Sequence, residues 1–306
     1  YFYILKERNT MNNKFNQVVA LTVFTAFSHM SSAEDYTSEF SARYSTGDID
    51  GKGNTGNVDE FGISQQVFFS EVDTTVGPLA KAAFISRASS YTLGYSVDNY
   101  DGLQNTVING EVDKTNAAID WRGNDMGFTL GLDYSFTDKT SFGAFEDVLE
   151  ASVGFYVAET TEISVQYSRK KYKQFESDEK TVALSVSHVG TGDFGFAIDG
   201  SISMAESISP RDPNVFSVYQ ILSTDDTSKD DEQFGIAVSA AVYPTRDFGM
   251  GAGFDVSLAE EDSDRVFAFT EWFFKPNMKV AATYYISDKN DVDTNGFIID
   301  LSYRLK

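Results

Sequence analysis

With no cysteine and only two histidines, the chain has few side chains suited to nucleophilic or general-base chemistry. His29 falls in an N-terminal leader, so His188 is the one imidazole of the remaining chain. A serine hydrolase needs Ser and His within hydrogen-bond reach, and a barrel protease needs a His to activate water. The alternation through Val182, Leu184 and Val186 puts His188 on an apolar face beside a short turn, the wrong side for either reaction. No catalytic residue is assigned, and the chain is read as no enzyme.

Acidic residues are the other candidates. Asp291 to Gly296 reads D-x-D-x-N-G, the opening of a calcium loop, but its twelfth position is Ser302 where a bidentate Glu belongs. Gly296 also leads into a strand pattern, so a solvated turn explains the motif equally well. Asp48 to Gly51 is weaker, because Lys52 follows. The run D-D-T-S-K-D-D-E at 225–232 reads as a solvated loop, or as one bridged by divalent ions to anionic lipopolysaccharide. No metal or cofactor is assigned.

A third set of charges lies on one face of alternating segments. Glu39, Asp120, Asp133, Glu150, Glu162, Asp199, Asp255 and Asp300 are acidic, and Arg43, Arg122, Lys170, Lys279 and Arg304 are basic. Opposite them lie apolar residues. In the last stretch Phe297, Ile299, Leu301, Tyr303 and Leu305 share a face, and Ile298, Asp300, Ser302 and Arg304 share the other. Phe128, Leu130, Leu132, Tyr134 and Phe136 likewise oppose Thr129, Gly131, Asp133 and Ser135. Such a strand suits a membrane barrel, with lipid outside and water inside, or a soluble sandwich. The terminal stretch resembles the last strand of Gram-negative outer-membrane barrels, although that pattern ends on Phe or Trp and this chain ends on Leu305-Lys306.

The elements that position these charges repeat one unit, about ten residues of alternation and then a turn. The predicted strands are 36–45, 58–69, 89–97, 112–122, 126–136, 148–158, 162–172, 180–189, 194–204, 233–243, 248–259, 265–274, 279–287 and 296–306. Short turns alternate with longer, acidic loops, as in a barrel with its short turns in the periplasm. Trp121, Phe128, Phe194, Tyr243, Phe248 and Phe274 lie beside the short turns, where an aromatic girdle meets the membrane interface. A sandwich has no reason to gather them at one end. The expected fold is all-β, a transmembrane antiparallel up-and-down barrel of about 14 strands, with 12 or 16 satisfying the same parity.

Three stretches fit less well. Arg265, Phe267, Phe269, Glu271 and Phe273 share one face, and neither side of that strand is clean, which suggests a bulge. Gln65 falls among the outward Phe61, Ile63 and Val67. The apolar run 214–222 in the longest loop is expected to fold inward as a constriction, with cover over a neighbouring loop or a subunit contact as alternatives.

Residues 11–33 have the charged, apolar and small-residue regions of a signal peptide, with 1–10 read as an upstream extension and 34–306 as the barrel domain. Removing 1–33 deletes Lys6, Arg8 and Lys14 against Glu7 and takes the net charge from −22 to −24. That balance repels nucleic acid.

Between the second and third strands lies V-D-T-T-V-G-P-L-A-K-A-A-F-I-S-R-A-S-S, Val72 to Ser90, too long for a hairpin and with Pro78 placed to start a short helix. It resembles the segment V-D-x-x-x-G-P-L-x-E-A-A-F-L-x-R-A-S-S of a general porin family of marine gammaproteobacteria. Lys81 replaces an acidic residue of that family, and Ile85 a Leu. The resemblance implies a diffusion channel in the cell outer membrane for small hydrophilic solutes and ions. Lipid, lipopolysaccharide and the barrel assembly machinery would be its partners, as a monomer or a homotrimer. The acidic excess among the pore-lining candidates favours cations. A structural or adhesive barrel with a blocked lumen and ligand-binding outer loops is the rival.

Closure adds a register. If the first and last strands pair antiparallel, Arg43 meets Asp300 in the same register that sets Glu39 against Arg304 and Phe40 against Tyr303.

Overall fold

The computed structural model describes residues 35–51, 54–101, 110–123, 127–138, 146–172, 177–192, 194–208, 231–257, 263–289 and 292–306. The leader, the apolar run 214–222 and the acidic run up to Asp230 lie outside the described residues. The strands are β1 (Tyr36–Gly51), β2 (Asn54–Val72), β3 (Ser90–Asp101), β4 (Gly110–Arg122), β5 (Phe128–Asp138), β6 (Glu146–Ala158) and β7 (Thr161–Tyr172). They continue with β8 (Ser177–Gly190), β9 (Gly195–Ile208), β10 (Asp231–Thr245), β11 (Phe248–Ser257), β12 (Ser263–Lys275), β13 (Met278–Lys289) and β14 (Val292–Leu305). Each pairs antiparallel with its chain neighbours, and β1 closes on β14, which makes an antiparallel barrel of 14 strands.

Closure follows the register expected from the charges. Arg43 stands opposite Asp300, Glu39 opposite Arg304, Phe40 opposite Tyr303, Ala42 opposite Leu301 and Tyr44 opposite Ile299. Both charge pairs are made, at 2.7 Å for Arg43–Asp300 and 2.8 Å for Arg304–Glu39. A slip of one residue would turn a whole strand inside out, so the alternation excludes it.

Large apolar side chains are exposed on one face of every strand, among them Leu93, Leu130, Val153, Val165, Leu184, Ile202, Phe254, Val266 and Ile286. In a closed barrel without a second sheet, such a surface can only meet lipid. The short-turn end carries exposed Phe69, Trp121, Phe128, Phe194, Trp272 and Phe274. Tyr243 does not belong to this girdle. It is 2% exposed, lies on the inner face and donates to Glu271 Oε1 at 2.9 Å. A second girdle marks the other end, where outward Tyr44 donates to Asp59 at 3.0 Å and Tyr95 donates to Asp113.

Several strands run past their apolar alternation. β13 reaches Lys289 and β14 begins at Val292, so Val292 to Gly296 is strand, with Asp293 opposite Asp50 and Asp288, and Asn295 opposite Asp48. Successive strand side chains point to opposite faces. Asp293 and Asn295 share a face but stand about 6.6 Å apart along an extended chain laddered on both sides, so the backbone does not coil to bring their oxygens onto one ion, and the calcium-loop reading fails. The bulge expected in β12 is also absent from its middle, because its register with β11 is unbroken from Phe248–Trp272 to Ser257–Ser263. A shift occurs only between Phe273 and Lys275. Phe267 and Phe269 instead face inward, over glycines. A Cβ on Gly253 would lie 2.4 Å from Phe267 Cζ, and one on Gly251 2.5 Å from Phe269 Cζ.

Following the paired registers once around from β1 through β2 returns to β1 offset by 14 residues, a shear of 14. Shear equal to strand number tilts the strands by roughly 37° from the barrel axis.

Candidate functional site: the barrel lumen

The β2–β3 connection decides which wall is inner. It contains a single 3-10 turn, Leu79–Lys81, and one helical turn, Ala82–Ile85 (α1). Its side chains and backbone reach β4, β6, β9, β10 and β14, strands so far apart around the wall that only a segment inside can touch them all. Gly77, at φ 71°, turns the chain inward, a conformation glycine adopts without steric cost. Pro78 then packs against Gly195, where a Cβ would come within 2.6 Å of Pro78 Cγ. Ala80, Phe84 and Ile85 pack on Val189, Ala197, Ala241 and Tyr243, while Ala82 and Ala88 join Tyr36, Phe68 and Val72.

Polar contacts fasten the segment on every side. Leu79 N donates to Arg246 O at 3.0 Å, Arg304 Nη2 donates to Leu79 O at 3.0 Å, and Arg246 donates to Thr74 O. Lys81 Nζ lies 3.6 Å from Asp199. Tyr156 OH donates to Phe84 O at 3.4 Å, and the Arg122 guanidinium lies 5.4 Å from the Phe84 ring. At the far end Arg87, at φ 51°, lies over Tyr156 and donates to Glu159 O at 3.3 Å. At the start, the Thr75 amide and hydroxyl donate to Asp73 Oδ1 at 2.7 and 2.6 Å, which holds this carboxyl below its ordinary value.

All thirteen pore-lining candidates fall on this inner face, where they sort by depth. Toward the short turns, Glu39 takes Arg304 at 2.8 Å and Lys279 at 3.9 Å. Arg122 bonds Asp120 at 3.0 Å and the Tyr156 hydroxyl at 2.9 Å, and Thr129 donates to Glu162 at 2.7 Å. Toward the loops, Arg43 meets Asp300 and Arg265 meets Asp255. Asp133 stands directly opposite Glu150, which accepts from Gln166 at 2.9 Å, and Lys170 stands opposite Glu179. Sequence reasoning missed Glu60, Asp98, Lys114, Glu179, Arg265 and Glu271 on the same face, together with Lys81 and Arg246. The inward Phe267 and Phe269 had a signal, the glycines at 251 and 253 in matching register on the neighbouring strand.

His188 is placed as expected, on the outer face near the short-turn end. Its Nδ1 lies 2.8 Å from Thr161 Oγ1, and its ring is 5.3 Å from that of Phe196. Among the described residues no group of three or more His, Cys, Asp or Glu is placed to hold a metal ion.

A closed barrel with a lipid-compatible exterior and a charged, hydroxyl-rich interior defines a class, the membrane-spanning barrel. Its particular likeness is to bacterial outer-membrane proteins. The Acinetobacter baumannii outer membrane protein Omp33 matches at a TM-score of 0.56 and 15% identity, over 89% of this chain and 99% of that one. An anion-selective porin from Comamonas acidovorans matches at 0.45 and 10%, over 89% and 99%. The KdgM porin, solved with oligogalacturonate, matches at 0.41 and 9%, over 87% and 99%. The likeness to Omp33, at 15% identity, establishes the fold alone. No protein-family model and no curated protein sequence matches the chain.

Proposed function

We propose that the chain is an outer-membrane diffusion channel for small hydrophilic solutes, leaning toward cations. The observation that carries this reading is the inner wall. Asp133 and Glu150 face each other across β5 and β6, with the neutral Gln166 donating to Glu150 and no salt bridge to either carboxylate among the described residues, a pair that attracts cations and repels anions. Serine, glycine and alanine occupy much of the remaining wall toward the loops, for example Ser64, Gly94, Gly131, Ser152, Ser185, Ser201 and Ser239, and leave room for water. The thirteen candidates from Glu39 to Arg304 would set its selectivity. The reading includes a barrel domain over 34–306, delivery by the barrel assembly machinery, lipopolysaccharide around the outer rim and a monomer or homotrimer as the assembled form.

The filled short-turn end favours a second reading, a structural or adhesive barrel whose outer loops do the binding. Planar-bilayer recording of the refolded chain separates the two. A stable conductance with a reversal potential of cation-selective sign in a salt gradient supports the channel. Silence after verified insertion supports the structural barrel, and anion-selective current removes the cation preference alone.

A further inference from the structure

Two successive rungs of the inner wall cross β8 to β12 in register. One runs Ser187, Asp199, Ser239, Gly253 and Phe267. The next, toward the loops, runs Ser185, Ser201, Ala237, Asp255 and Arg265. Small side chains in the middle of both rungs leave a depression, a cavity of about 220 Å³, lined by the serines, both aspartates and Phe267. Phe267 forms its edge. Its ring lies over Gly253, stacks on Phe269 at 6.3 Å with 27° between the planes, and carries the Arg265 guanidinium 5.6 Å from its centre.

The charge state of the depression narrows what it would hold. Lys81 lies 3.6 Å from Asp199, and Arg265 is bonded to Asp255, so each carboxylate already has its own cation. A metal ion would need several free oxygens converging at about 2.3–2.6 Å, and carboxylates shared with Lys and Arg do not supply them. An anion would meet two carboxylates. What the lining offers is a row of hydroxyls that both donate and accept, two neutralised carboxylate acceptors and one aromatic face. That combination matches a neutral polyhydroxylated ring, with hydroxyl edges to bond and a C–H face to lay on the phenyl ring.

The geometry points to a subsite on the β8–β12 wall for an uncharged saccharide, the size of one sugar ring. It rests on the channel reading and names a solute class for it. The Lys81–Asp199 pair joins the subsite to the β2–β3 segment, so a bound sugar would sit against that segment as well as against the wall.

The test is single-channel KCl current through the refolded full chain with D-glucose added to one side. Each variant is checked for folding by its heat-modifiable gel mobility and compared with its own glucose-free current. Glucose should lower the wild-type current saturably. The half-blocking concentration should rise at least tenfold in Phe267→Leu, which keeps bulk and loses the ring, and in Ser201→Val. It should stay put in Leu132→Ala, whose side chain faces lipid on β5, outside the cavity. No saturable block, an unchanged half-block in Phe267→Leu, or a stronger block by glucuronate than by glucose would overturn the assignment. A barrel that passes no KCl fails the channel reading instead. Equilibrium dialysis of labelled D-glucose against the detergent-folded barrel then decides the subsite: saturable binding weakened in Phe267→Leu upholds it, and its absence overturns it.

Discussion

The β1–β14 seam holds two arginine–carboxylate pairs built from the same two strands in one register, yet they live in different surroundings. Arg304 and Glu39 have side-chain exposures of 4% and 15%, beneath Leu79 and between the rings of Tyr36 and Phe273. Arg43 and Asp300, four residues further toward the loops, have exposures of 54% and 22%. The difference comes from the β2–β3 segment, which dries one end of the lumen and leaves the other wet. Equal charge chemistry therefore sits in unequal settings, packed under the inner segment at one end and open to the lumen at the other.

The largest way to break this contrast is to remove its cause. Replacing residues 75–86 with a short Gly-Ser hairpin should raise single-channel conductance by roughly threefold or more, because a constriction dominates the resistance of a pore. Unchanged conductance in an inserted barrel would show that the segment does not limit the path. Next come the two arginines. Arg304→Ala strands a buried carboxylate and should cost about 3–5 kcal/mol, moderated by Lys279, whereas Arg43→Ala should cost only about 0.2–1 kcal/mol. Urea midpoints of the barrel folded in lipid vesicles compare them, and equal losses would abolish the distinction.

A smaller effect is expected in the wet half. Asp133→Asn combined with Glu150→Gln should move the reversal potential toward that of a non-selective pore with little change in folding yield. An unmoved potential would place selectivity elsewhere on the wall. The smallest effect concerns the start of the segment. Asp73 is held below its ordinary value by Thr75, so the turn it closes is fully formed above the ordinary carboxylate range. It weakens as pH falls through the depressed value. The Thr75 amide shift, followed by NMR, should titrate with a midpoint below the ordinary carboxylate value and stop titrating in Asp73→Asn; a midpoint at or above that value would break the assignment.

Fold and closure were legible because the bilayer imposes a strict demand on alternate residues. Leu130 and Leu132 could face only one way, and once they did Asp133 had to face the other. The same demand explains what was missed. Lipid ends before hydrogen bonding does, so Asp288, Asp293 and Asp50 continue their strands with no apolar signal and read as loops. Tyr243 passed for a girdle residue because an aromatic beside a turn suits either face, and only its register on β10 settles the matter. Lys81 and Arg246 could not be placed at all, since their partners, Asp199 and the backbone of residues 74–79, are remote in sequence and meet only when the segment turns inward at Gly77.

The shear of the barrel also sets the slope of its inner wall. With strands tilted by roughly 37°, a rung perpendicular to them is a ramp rather than a level shelf. Each step to the next strand climbs about 3 Å along the axis for a strand spacing near 4.8 Å, so the five positions from Ser187 to Phe267 span about 12 Å of depth. In the proposed channel, a solute handing its hydroxyls from one wall residue to the next would advance by turning, and a wall with a screw sense would distinguish a molecule from its mirror image.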